Sequence, residues 1–333
     1  MTIDVSLVDD LDEWNSLVEQ SPHRTPFHRY EALEVMEDYA GTLYPYVGYK
    51  GNQPVGIFPV FSKSKGPVQT AYSPPTGLRI NYLGPVLLNQ ESLKERKALR
   101  RHNRFVAAVD EAIRETIGPA YIHVQTGTDY GDPRPFFWNE YAARKPYFTY
   151  AVDLTPSEED LLMTFSSDLR QHIRNTPDDS YEITETNGAE IPAIIDGLRK
   201  RHDEYAAPPA FFADLYGVLP DGIMRVYRFD ADGELVGGQI TIEDDRTLVT
   251  WQGVSNRDHS VPVMDLMLWH VICQARDRGL ERLDHGGANL YGLSEYKAKF
   301  APEIRMYHRL TWSSPLATVY SGFKTNIVDN LRS

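Results

Sequence analysis

Ile223-Met224-Arg225-Val226-Tyr227-Arg228-Phe229, then Asp230-Ala231-Asp232-Gly233, then Glu234-Leu235-Val236-Gly237-Gly238-Gln239-Ile240 is the stretch whose reading decides the fold. Residues 223–229 alternate as a half-buried strand does, 230–233 supply turn residues, and 234–242 read as a second strand. Glu243-Asp244-Asp245 makes another turn, and 246–254 (Arg246 to Val254) a third strand. Three strands joined by tight turns form an antiparallel meander. Pro262 then opens a helix to Arg278, with Met264, Met267, Leu268, Val271 and Ala275 at helical spacing and Gly279 as its stop. A short strand at 280–285 ends at Gly286-Gly287. A helix near 291–300 and a last strand near 304–312 follow.

The first half repeats this order more loosely. Strands at 43–50 and 54–62 flank Gly51-Asn52-Gln53, and 79–88 is expected as the third strand. A helix at about 91–117 stops at Gly118. A strand at 120–126, a short helix near 135–144 and a strand at 147–153 complete the series. Tyr141-Ala142-Ala143-Arg144-Lys145 occupies the place that Tyr296-Lys297-Ala298-Lys299 occupies in the second half. The repetition predicts an internal duplication of a mixed α/β unit: a first domain over 1–153 and a second over 154–313, followed by a tail at 314–333 whose folding back onto the first the sequence leaves open. One helix is expected from Ser157 to about Asn175, capped by Ser157 with Asp160 in its first turn.

A chain of 333 residues, 41% hydrophobic and 24% charged, has enough apolar mass for two cores. One cysteine, Cys273, permits neither an intrachain disulfide nor a multi-cysteine zinc site, and the ten histidines lack ligand spacing. No metal is expected. The acidic start (Asp4, Asp9, Asp10, Asp12, Glu13) does not resemble a signal peptide and no apolar run spans a bilayer, so a cytoplasmic protein without an integral membrane segment is expected. The net charge of −13 argues against DNA as a partner and does not favour tRNA, although Lys94 to Arg104 is a basic helix that could meet a tRNA backbone.

The ordered pieces Phe165-Ser166-Ser167-Asp168-Leu169-Arg170-Gln171-His172-Ile173-Arg174, Leu235 to Ile240, Trp251-Gln252-Gly253, Pro262, Trp269-His270, Leu283-Asp284-His285-Gly286-Gly287, Gly292 to Lys297 and Phe300 resemble the FemAB-like branch of the GNAT (N-acetyltransferase) superfamily. The resemblance covers roughly 160–312 and is topological before that. It implies two tandem GNAT-like domains and an acyltransferase that moves an acyl or aminoacyl group to an amine, on a small molecule or a glycan or lipid precursor of the cell envelope. The implied co-substrate is acyl-CoA or aminoacyl-tRNA, with no tightly bound cofactor. The sequence departs from the family pattern where His285 replaces an aromatic, Tyr296 a Phe and Ala301 a Gly. Residues 254–260, where acetyl-CoA enzymes carry a Gly-rich pyrophosphate loop, contain no glycine.

Acyl transfer needs a held donor carbonyl, charge for the oxyanion and a route for the amine proton. The resemblance assigns the charge to Lys297; the alternative is a solvated helix lysine. Asp284 or His285 would take the proton, or else serve as an acceptor and a wall. Trp251, Gln252, Gly286, Gly287 and Tyr296 would line the donor site where the two strands splay. Arg170 and Arg174 share a helix face suited to an anionic acceptor, or form a solvated face. Arg257 would assist an anion at the helix start. The rival reading is a non-catalytic GNAT pair that only binds a glycan precursor or a protein partner.

Overall fold

Asp232 and Gly233 both take left-handed backbone, with φ of 53° and 78°, the geometry that lets two residues reverse a twisted strand pair. Glu234 therefore pairs with Ala231, and the register runs on to Ile242 opposite Met224. At the next turn the Asp244 carboxylate accepts from the backbone N–H groups of Arg246 (2.9 Å) and Thr247 (2.8 Å). The meander is present as Met224–Ala231, Glu234–Glu243 and Thr247–Ser255. The helix after it, Val263–Asp277, buries Val263, Leu266, Met267, Val271, Ile272 and Ala275 in a core with Tyr227, Phe229, Leu248 and Leu283. It ends where Gly279 takes φ 83°. The Gly279 N–H donates to the Arg276 carbonyl (2.8 Å) and the Leu280 N–H to that of Ala275 (3.0 Å), the two bonds of a Schellman cap.

The computed structural model describes residues 2–66, 68–143, 145–201, 207–256 and 258–315. Its strands are β1 (Asp4–Leu7), β2 (Thr42–Lys50), β3 (Gln53–Lys65), β4 (Val68–Ser73), β5 (Val86–Leu87), β6 (Tyr121–Gln125), β7 (Tyr147–Asp153), β8 (Glu182–Thr186), β9 (Met224–Ala231), β10 (Glu234–Glu243), β11 (Thr247–Ser255), β12 (Arg282–Asp284), β13 (Glu303–Tyr307) and β14 (Arg309–Ser313). They form two mixed seven-stranded sheets. One has the order β1-β2-β3-β4-β6-β14, with β5 on β3; the other is β13-β7-β12-β11-β10-β9-β8. In the first sheet β4 pairs parallel with β6, and in the second β11 pairs parallel with β12. In the first unit the Glu95–Thr116 helix packs Phe105, Val106, Val109 and Ile113 on Tyr46, Phe58, Ile122 and Val124.

The chain does not pass from one unit to the other where the sequence suggested. The first unit comprises residues to Pro146 and the described residues from Tyr307 onward; the second is Tyr147–Met306. Strand β7, expected to close the first copy before a boundary at 153/154, instead pairs antiparallel with β12, Ala151 opposite Asp284. The last strand, expected to be continuous, divides. Its first part, β13, edges the second sheet, while β14 pairs antiparallel with β6 in the first. Beyond β14, Ala142 bridges Thr311. The two sheets thus share one order, and in each the strand beside the short parallel strand comes from outside that copy's own stretch of chain.

Two other expectations change. The third strand of the first copy is Val68–Ser73, and of 79–88 only Val86–Leu87 is strand. The helix expected over 157–175 is two helices, Glu158–Thr164 and Ser167–Asn175, capped by Ser157 and Ser166. They break because Phe165 turns into the core, its ring 5.3 Å from Phe300 and 5.7 Å from Trp269. Of the expected tail, the Ser314 N–H donates to the Ala120 carbonyl (2.9 Å), and residues 316–333 lie outside the described residues. No described helix is long and apolar enough to cross a membrane.

Candidate active site

Strands β11 and β12 are paired over only three residues, ending at Val249 opposite Asp284. Strand β11 runs on to Ser255, still paired with β10, while the other chain turns away at Gly286 and Gly287, with φ of 70° and 115°. The opening expected around Trp251-Gln252-Gly253 lies on this stretch. A φ of 115° is strained for any residue with a Cβ, so Gly287 is needed for the turn itself.

The loop leaving β12 is stitched to β7. The His285 N–H donates to the Tyr150 carbonyl (2.9 Å) and the Ala288 N–H to that of Phe148 (2.7 Å). The Asn289 side chain accepts from the Phe148 N–H (2.9 Å) and donates to the Phe148 carbonyl (3.0 Å). Asp284, 4% exposed, accepts on Oδ1 from the Thr149 hydroxyl (2.6 Å) and the Gly286 N–H (2.7 Å). Burial raises its carboxyl pKa, against those hydrogen bonds and the charges of Arg282 and Lys297.

Lys297, at the end of the Tyr291–Lys297 helix, reaches back to this loop. Its Nζ donates to the carbonyls of His285 (2.6 Å) and Gly287 (2.7 Å). Burial lowers its pKa to about 8, the Asp284 charge opposing. The ammonium therefore braces the Asp284–Gly287 turn with two of its three N–H groups, a more enclosed setting than the solvated helix lysine of the alternative reading. His285 is 1% exposed, and its Nε2 has no hydrogen-bond partner among the described residues. Burial, and secondarily Lys297, lower its pKa to about 3. The pKa match that made histidine attractive as a proton acceptor is thus removed by burial. Its ring lies 5.4 Å from that of Phe300, as a wall residue's would.

The other expected residues divide. Tyr296 is half-buried with its ring 6.1 Å from Phe300, and burial, then Asp265, raise its phenol pKa well above the ordinary value. The Trp251 side chain is buried against Phe212 (4.9 Å) and Phe211 (6.3 Å), so it packs in the core. The Gln252 carbonyl accepts from the Gln239 amide (2.9 Å), which also donates to the Ile240 carbonyl. A side chain at Gly253 would collide with that Gln239 amide. Arg170 donates to the carbonyls of Met163 (3.2 Å) and Phe165, and Arg174 pairs with Glu159 (3.0 Å). Both are thus engaged with the preceding helical turn rather than with the Asp284–Lys297 loop. Arg257 lies outside the described residues. In the basic helix of the first unit, His102 is buried with Nε2 2.5 Å from the Tyr130 hydroxyl, and Arg101 donates to the Asn89 carbonyl (3.1 Å).

The start of the Val263–Asp277 helix is where the sequence resemblance implies an anion site. Its first turn carries Asp265, 5% exposed. His172 Nδ1 lies 2.6 Å from Asp265 Oδ2, and the Lys299 ammonium 3.9 Å from it. Lys299 itself pairs with Asp168 at 2.7 Å. A carboxylate in the first turn opposes an incoming anion, and residues 254–260 offer no glycine for close backbone approach. These residues do not fit the usual pyrophosphate cradle.

Sequence reasoning missed Thr149 and Gln239. A lone threonine in Tyr147-Phe148-Thr149-Tyr150 carries no motif, and its partner Asp284 is 135 residues away.

Two mixed sheets of one strand order, one opened at its parallel junction behind a glycine pair, define a tandem GNAT-like fold. Residues 164–298 match the family described as an acetyltransferase (GNAT) domain. In structure the chain is similar to FemX, with a TM-score of 0.74 at 11% identity over 95% of this chain and 99% of that one. It is similar also to a tandem GNAT protein from the clavulanic acid biosynthesis pathway (TM-score 0.57, 12% identity, 93% and 98% covered). A third likeness is to L-PGS from Bacillus licheniformis (TM-score 0.54, 14% identity, 93% and 94% covered). No curated protein matches the chain in sequence. The fold is the FemAB-like, tandem GNAT fold that the sequence resembled.

Proposed function

We propose that the chain is an N-acyltransferase whose reaction takes place at the β11/β12 opening of the second unit. The observation that carries this reading is the end of parallel pairing at Val249–Asp284, with the Lys297 ammonium held on the loop that leaves it. A donor carbonyl entering the opening lies beside that charge. The acceptor amine attacks the carbonyl carbon, a C–N bond forms, and the oxygen becomes an oxyanion that a fixed cation stabilises. The C–O bond of an ester donor, or the C–S bond of a thioester, then breaks, and the amine proton passes to the leaving group. Asp284 ends the parallel pairing at that opening. Its place in the Thr149–Gly286 network suits it to hold the loop and to balance Lys297.

The donor is an activated acyl or aminoacyl group recognised mainly at its acyl end, because the helix start does not fit a pyrophosphate. Acyl-CoA and an aminoacyl ester of tRNA are both carried as donors, since the misfit at the helix start counts against the first and the net charge of −13 against the second. The acceptor is an amine on a small molecule or a cell-envelope precursor, and the reaction belongs in the cytoplasm, where both donors occur. The test is a screen of purified protein with labelled aminoacyl-tRNA and with acyl-CoA thioesters against amine acceptors, following donor loss and amide formation by mass spectrometry. Amide formation that Lys297→Met removes supports the reading. Consumption of no donor, or turnover indifferent to Lys297→Met, overturns it in favour of a non-catalytic binding pair.

A further inference from the structure

We propose that Thr149 is a positioning residue of this site, setting through its hydroxyl the two loop carbonyls that hold Lys297. Its place in turnover rests on the acyl-transfer reading; its effect on the lysine does not.

Thr149 is fully buried, on β7. Its hydroxyl donates to Asp284 Oδ1 (2.6 Å) and accepts from the Gly287 N–H (2.9 Å). Those two partners bracket the turn whose carbonyls, at His285 and Gly287, receive the Lys297 ammonium. Asp284 Oδ1 in turn accepts the Gly286 N–H (2.7 Å). One hydroxyl therefore ties residue 284 to residue 287 and fixes the three peptide groups between them. A buried hydroxyl with both donor and acceptor satisfied is costly to remove, because the partners left behind lose their hydrogen bonds without gaining water.

The rest of the loop has its own attachments to β7, through His285, Ala288 and Asn289. Loss of the hydroxyl should thus leave the loop docked and relax only its interior. Lys297 would lose its fixed acceptors, and its amine would open to solvent. The device joins the strand exchange to the chemistry: the strand that crosses into the second sheet brings the group that shapes the lysine's seat.

The experiment is trace labelling of the intact chain with acetic anhydride at fixed pH. The Lys297 peptide is read by mass spectrometry against exposed Lys63 as internal reference. Thr149→Val should raise Lys297 labelling about tenfold relative to Lys63 when both are labelled at about pH 11, above the ordinary lysine value of about 10.4, where both amines are free bases and the rate reads access of the reagent alone. Thr149→Ser, which keeps the hydroxyl, should restore the wild-type rate. Thermal melting accompanies each variant, and Thr149→Ala replaces Thr149→Val should the valine disturb folding. Unchanged Lys297 labelling in a folded Thr149→Val or Thr149→Ala protein overturns the proposal. So does a Thr149→Ser protein that labels like Thr149→Val, since the hydroxyl would then be present without holding the lysine's seat. The labelling needs no donor, so failure to find any acyl donor would remove the function proposed above and leave this result standing. With a donor in hand, Thr149→Val should lower kcat more than it raises KM, and Thr149→Ser should recover it.

Discussion

The two parallel junctions of this molecule are built to the same plan and finished differently. In the first unit β4 and β6 pair from Thr70–Tyr121 to Ser73–Val124, and the chain then fills the place where they would part. Leu83 bridges Thr126, its N–H donating to the Gln125 carbonyl (3.2 Å). The Gln125 side chain donates to the Asn81 carbonyl. The buried Ser73 hydroxyl donates to the Pro59 carbonyl (2.5 Å) and accepts from the Gly84 N–H (3.0 Å). In the second unit no described segment takes that role. Pairing stops at Asp284, and the loop beyond carries a bound lysine. Lys145, in the Tyr141–Lys145 stretch that corresponds to Tyr296–Lys299, is exposed. A duplicated core thus has one junction closed by its own backbone and one left open beside a cation, and the proposed reaction is assigned to the open one.

The largest contrast should come from the two lysines. Lys297→Met should lower turnover on the order of 100- to 1000-fold, or roughly 3–4 kcal/mol of transition-state stabilisation, while Lys145→Met should leave it unchanged. Steady-state kinetics with circular dichroism melts measure both. Equal losses would break the assignment of function to the second junction.

Next is the first junction's own seal. Ser73→Ala removes a buried hydroxyl that serves the Pro59 carbonyl and the Gly84 N–H, and should cost about 1–3 kcal/mol in urea unfolding. Turnover per folded molecule should stay at the wild-type value. A loss of turnover without a loss of stability would place chemistry in the first unit as well.

The dependence of stability on pH sharpens the contrast further. Burial holds the Lys297 pKa at about 8 in the folded chain, whereas the unfolded chain keeps the ordinary lysine value. Between those two values the unfolded chain binds a proton that the folded chain does not, so stability should rise with pH across that window. Lys297→Met should abolish that rise and Lys145→Met should not, as read from urea midpoints on both sides of pH 8.

The smallest effect concerns the turn after the Lys297 helix. Ala301 sits in left-handed backbone at φ 48°, where a Cβ is strained. Ala301→Gly should raise stability by about 0.5–1 kcal/mol, the relief exceeding glycine's entropy cost. A drop in the melting temperature would show that the Ala301 methyl's packing outweighs its strain.

Much of the second unit was legible in the sequence because it rests on short-range rules. Alternation over 223–254, the Asp232-Gly233 turn, the apolar spacing from Met264 to Ala275 and the Gly279 stop each act within a few residues. The glycine pair after a short strand was legible for the same reason, whereas Lys297, ten residues further on, was singled out only by the family resemblance. The first unit's third strand was misplaced because an apolar run does not show whether a partner strand is free to receive it. Residues 79–88 look like a strand, yet the places beside Phe61–Lys65 of β3 and beside β6 are taken by Val68–Ser73.

Tertiary structure decided the rest. Strand β7 is as alternating and aromatic as any strand of the first copy, and nothing in a period of two records which sheet edge a strand will join. That choice is made by non-local hydrogen bonds between Ala151–Asp153 and Arg282–Asp284. The same holds for the division of the last strand between β13 and β14, and for Thr149, whose role exists only once Asp284 lies beside it. Residue type suggested His285 as a base and Arg170 and Arg174 as anion ligands. Burial and the nearby Met163 and Phe165 carbonyls and Glu159 carboxylate assigned them otherwise, because a side chain's pKa and partners belong to its surroundings and not to its sequence neighbours.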